Sequence, residues 1–100
     1  MTQTALPDPL CIHLGCNETK ILNWVNVDAR PTVATDLVHD CSNLSPFPAA
    51  SAAAIFSHAF FEHLTMRGRA ELLADVWRVL RPDGFVYFCG LPDFEVVARS

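Results

Sequence analysis

The chain is 100 residues long, 51% hydrophobic and 18% charged, with a formal net charge of −4; that suits one domain with its own core and is too apolar for disorder. No apolar run approaches the roughly 20 residues of a membrane-spanning helix, and residues 1–9 lack the basic and apolar stretches of a secretory signal, so a cytoplasmic location without a membrane partner is expected. The negative charge lies in residues 1–66, where Lys20 and Arg30 face six acids, and no basic stripe suggests a nucleic-acid partner.

In chain order, residues 1–9 are a polar, proline-marked lead-in to a domain over 10–100. Residues 10–14 (LCIHL) read as a buried strand stopped by a tight turn at Gly15. A second strand is predicted over 24–28 (WVNVD), before Arg30-Pro31 breaks the chain, and a third over 36–40 (DLVHD). The span from Gly15 to Asp28 is near the minimum for a parallel crossover, so its helix is expected to be a turn or two around residues 18–22. Residues 41–50, with Pro46 and Pro48, form a loop. A fourth strand follows over 52–57 (AAAIFS) and a fifth over 84–91 (GFVYFCGL).

Between those two strands lies the clearest helix. Leu72, Leu73, Val76, Trp77 and Leu80 make one apolar face, Thr65 is the expected N-cap, and Arg81-Pro82-Asp83-Gly84 ends the helix with a turn. A short helical turn over 58–64 precedes it. Trp24, Trp77, Phe85 and Phe88 are expected in the core, Cys11 and Cys89 as small buried hydrophobes, and Glu71, Asp75, Arg78 and Arg81 on a solvated helix face. His13 and His39 read as hydrogen-bonded histidines within strands. Short buried strands separated by connections indicate an α/β parallel sheet rather than a sandwich.

Ligands of open parallel sheets bind beyond the carboxyl ends of the strands. Those ends carry Gly15-Cys16-Asn17, Asp28, Asp40, Ser57-His58 and Leu91-Pro92-Asp93. A glycine turn lets a ligand approach the backbone, and an acid ending the second strand can accept both hydroxyls of a ribose. Asp40 can accept from an adenine amine, so an adenosine-containing cofactor fits. The dinucleotide fingerprint G-x-G-x-x-G is absent, since Asn17 and Lys20 stand where its later glycines belong. Cys11, His13 and Cys16 lack a second ligand pair at zinc spacing, and HAFFEH over 58–63 is not the zincin H-E-x-x-H, so no metal is expected.

The ordered set IHLGCN, WVNVD, DLVHD, LSPFP, IFSHAFFEHL, ELLADVWRVLRPDGFVYF and LPDFE resembles class I S-adenosylmethionine-dependent methyltransferases, over roughly residues 10–98. The resemblance is to the small bacterial type with a short first crossover. It implies an α/β, Rossmann-like, doubly wound and mostly parallel sheet, with about five strands present and the C-terminal strands of the full fold missing. Gly15, Cys16 and Asn17 match the motif cradling the methionine part of the cofactor. Asp28 matches the acid that holds the ribose, Asp40 the acid beside the adenine, and His58 the position lining the cofactor and acceptor pocket. His58 is also a candidate for a general base.

Methyl transfer to a small metabolite or glycan precursor is the function this implies. The chain departs from the family in two ways: Asn17 stands where glycine is usual, and Ser100 follows closely on the fifth strand. The fifth strand would then be an open edge, through which two copies could pair. Both departures suit a second reading, a degenerate domain acting as a non-catalytic binding or assembly module.

Overall fold

The computed structural model describes residues 6–89, together with the backbone of Val97 and Ala98. The predicted end of the fifth strand and Leu91-Pro92-Asp93 lie outside the described residues. The elements are β1 (Leu10–Leu14), β2 (Val25–Asp28), β3 (Leu37–Val38), β4 (Ala52–His58), a 3₁₀ turn (Phe61–His63), α1 (Met66–Val79), β5 (Leu80–Cys89) and β6 (Val97–Ala98). They form one sheet in the order β3-β2-β1-β4-β5-β6. β1 to β5 are parallel, and β6 is antiparallel to β5. The β5 edge, expected to be open, therefore carries a strand at Phe85 and Val86.

Alternation along the strands sends Ile12, Leu14, Val27, Ile55, Val86 and Phe88 into one core, where Leu72, Val76 and Val79 of α1 join them. Thr65 caps α1 as predicted, its hydroxyl accepting from the Gly68 amide at 3.0 Å. The expected turn at 81–84 lies within β5: Leu80 pairs with Ala52 and Phe85 with Ala54, so the four residues between are looped out opposite Ala53. The opposite face of the sheet carries His13, Phe56 and Tyr87 in register across β1, β4 and β5. Phe56 is the centre of an aromatic cluster there, 5.3 Å from His13, 5.9 Å from Tyr87 and 6.5 Å from Trp24 between ring centroids. Phe85 shares this face and is 44% exposed, and Trp77 on α1 is 46% exposed, so neither is the core residue expected. Cys11 and Cys89 are half-buried rather than buried.

The connections differ from the expectation of a short first helix. Residues 15–24 contain turns and no helix. Buried Asn26 holds this segment instead: its Oδ1 accepts from the Ile21 amide at 3.0 Å and faces His13 Nδ1 at 2.8 Å. Its Nδ2 donates to the Ile21 and Trp24 carbonyls, each at 3.1 Å, and to Asp36 at 2.8 Å. The β3–β4 loop is fastened to α1 by a pair assigned above to a solvated face. Asp75 accepts from the Leu44 amide, while Arg78 donates to the Phe47 and Leu44 carbonyls, each at 3.0 Å, and to Asp75 at 2.8 Å. Side chains here take over the positioning that helices give in longer crossovers.

Candidate functional site

A cavity of about 590 Å³ opens at the carboxyl ends of the parallel strands, within the size range of small-molecule sites. Gly15, Cys16, Asn17, Asp28, Asp40 and His58, the six residues singled out from the sequence, all line it. Arg30, Cys41, Phe56 and Phe60 line it as well and were not among them. Arg30 read only as part of a chain break, although its two-residue distance from Asp28 is short enough for a return contact.

The turn after β1 depends on two left-handed residues. Gly15 has φ +65°, and a Cβ built on it would meet the Phe60 ring at 3.3 Å. Asn17 has φ +52°, a conformation asparagine tolerates better than most residues. Glycine is thus not required there, and the Asn17 side chain turns to Arg30, whose Nη2 donates to its Oδ1 at 2.7 Å. The Cys16 amide ties the turn to β2 through the Val27 carbonyl at 2.9 Å.

Asp28 ends β2 beside this turn. Its Oδ2 accepts from the Asn17 amide at 2.8 Å, and its Oδ1 accepts from the Arg30 amide at 3.0 Å and from Arg30 Nε at 3.3 Å. On the adjacent segment, where the His39 amide donates to the Asp28 carbonyl at 3.0 Å, Asp40 accepts from the Ser42 amide at 3.0 Å and the Ser42 hydroxyl at 2.8 Å. It therefore both lines the cavity and caps its loop. His58 sits with Nδ1 2.9 Å from Cys89 Sγ on the neighbouring strand. His13 also lines the cavity, and His39 pairs with Asn43 Oδ1 at 2.8 Å. Burial pushes the Cys41 thiol up to about 11, so this cavity-lining cysteine stays protonated near neutral pH. No group of three or more His, Cys, Asp or Glu converges to hold a metal among the described residues.

The carboxylates respond to two opposed influences. Burial raises Asp28, Asp36 and Asp75, but the hydrogen bonds and cations around them outweigh it and hold all three below the usual range. The donors are the Arg30 and Asn17 amides with the Arg30 guanidinium for Asp28, Lys20 and Asn26 for Asp36, and Arg78 with the Leu44 amide for Asp75. A group whose pKa is depressed on folding stabilises the fold above its unfolded value and loses that contribution as pH falls through the folded one. Stability is therefore expected to hold from pH 7 to about 5 and to fall progressively below about 4. Thermal melts followed by circular dichroism across that range check this; a melting temperature flat to pH 3 would contradict it.

The methyltransferase domain family model matches residues 13–88. Among solved structures, the chain is similar to a protein of Methanococcus maripaludis assigned as an S-adenosyl-L-methionine-dependent methyltransferase, with a TM-score of 0.61 and 17% identity. The match covers 82% of this chain and 48% of that one, so this chain spans about half its length. At that identity the likeness concerns the fold. No curated protein matches the sequence.

Proposed function

The chain belongs to the methyltransferase domain family, and from that membership we propose that its cavity binds S-adenosylmethionine and that the domain transfers the methyl group to a small-molecule acceptor. The observation that carries this reading is Asp28: a carboxylate ending the second strand, aimed by two backbone amides and facing the glycine turn of the first. It would take the ribose hydroxyls, with Gly15, Cys16 and Asn17 along the methionine part and Asp40 toward the adenine. Phe56 and Phe60 supply apolar wall.

The cofactor supplies an already activated methyl group. The chain has to hold the donor, align an acceptor in line with it and exclude water. His58 lines the same cavity, and its Nε2, the nitrogen not facing Cys89, would be the one to take a proton from an acceptor. Isothermal titration of the purified chain with S-adenosylmethionine and S-adenosylhomocysteine tests the reading. Micromolar binding is expected, and absence of heat from a folded chain would overturn it in favour of a non-catalytic module.

A further inference from the structure

We propose that Arg30 is a tethered competitor for the Asp28 carboxylate, which a ligand bearing two neighbouring hydroxyls must displace. The inference rests on the reading of Asp28 as the ribose-holding acid and adds a residue that sets its affinity and selectivity.

A carboxylate offers about four acceptor positions, two on each oxygen. Three are taken by donors among the described residues: the Asn17 amide on Oδ2, and the Arg30 amide and Nε on Oδ1. One position on Oδ2 is left, and a ribose presenting both hydroxyls needs two. The two amides cannot move away without remaking the backbone at the end of β2 and at left-handed Asn17. The guanidinium can, because the Arg30 side chain is 66% exposed while that of Asp28 is 9% exposed. Arg30 also reaches Asn17 Oδ1 through Nη2, so it bridges the end of β2 and the turn after β1 at the cavity wall.

Displacement costs a part-buried ion pair, long at 3.3 Å, and an exposed hydrogen bond, interactions of modest strength that translate into a few-fold change in affinity. A single hydroxyl fits the open position on Oδ2 and leaves Arg30 in place. The guanidinium thus penalises a diol and not a mono-ol, and narrows the preference for ribose over deoxyribose.

The test is titration of the full chain with adenosine and with 2′-deoxyadenosine, both uncharged. Wild type, Arg30→Ala and Arg30→Lys are compared at low and moderate salt, with thermal melts to confirm folding. Arg30→Ala is expected to bind adenosine roughly three- to tenfold more tightly, with 2′-deoxyadenosine unchanged and Arg30→Lys in between. Salt should tighten adenosine binding to wild type and leave Arg30→Ala flat. Unchanged or weaker adenosine binding by Arg30→Ala overturns the inference, as does an equal gain for both nucleosides. If neither wild type nor Arg30→Ala binds adenosine or S-adenosylhomocysteine, the reading of Asp28 falls and this inference with it. If wild type and Arg30→Ala bind equally, only the role of Arg30 is lost.

Discussion

Asn26→Ala is expected to remove about 3–5 kcal/mol of stability, a large share of the roughly 5–15 kcal/mol that holds a domain together. Asn26 has no exposed surface, and its side chain touches three separate parts of the chain. It meets His13 on the neighbouring strand, Ile21 and Trp24 in the helix-free connection, and Asp36 at the start of β3. An alanine leaves the Ile21 amide and carbonyl, the Trp24 carbonyl and the His13 ring nitrogen without these partners. Each buried group so stranded costs about 1–3 kcal/mol, reduced where water or relaxation reaches it. Asn26→Asp should be nearly as harmful, since it turns an acceptor toward two carbonyls and Asp36. Urea unfolding of the variants gives the answer directly. A loss below about 1 kcal/mol would mean that the connection is held in some other way.

Asp28→Ala is expected to weaken S-adenosylhomocysteine binding by about a hundredfold or more, the equivalent of two charge-assisted hydrogen bonds to a ribose. The variant is also expected to lose stability, because the Asn17 and Arg30 amides lose the acceptor that aims them. Binding should therefore be measured well below the variant's melting temperature. A folded Asp28→Ala protein that keeps wild-type affinity would remove this carboxylate from the ligand site. The opposite signs expected for Asp28→Ala and Arg30→Ala separate loss of a ligand contact from loss of its competitor.

The five parallel strands were legible as apolar runs with a visible stop, but β3 keeps only Leu37–Val38 of the predicted 36–40, β5 begins at Leu80 rather than at residue 84, and β6 was not expected. Asp28 could be placed at the cavity because an acid closing the second run lies at the carboxyl end of a parallel strand, where it also ties the Asn17 and Arg30 amides. The α1 boundary was equally readable from Thr65, whose hydroxyl has one clear task. Face assignment was less accessible. Trp77 and Phe85 are aromatic and lie at apolar spacing, but spacing does not say whether anything covers a given side, and both remain partly exposed. Asn26 was hidden for the converse reason, as a polar residue inside a strand pattern whose bonding depends on segments brought to it only by folding. Asp75 and Arg78 look like an ordinary helical ion pair until the loop above them is in place. In the cavity the six singled-out residues converge, while Arg30, two residues beyond Asp28, joins them through a return contact that its place at a chain break obscured.

The placement of β1 has a consequence for how the chain reaches this structure. β1 is flanked by β2 on one side and by β4 on the other, and the hydroxyl of Ser57 donates to the Leu14 carbonyl across a separation of 43 residues. The first strand is thus also among the last to be completed. As the polypeptide leaves the ribosome, LCIHL has β2 alone of its two neighbours to pair with until β4 has emerged. Contacts this distant carry a loop-closure cost before they repay it, which slows folding relative to a helical domain of equal size. During that interval the second edge of β1 is open to a passing chaperone or to another nascent copy.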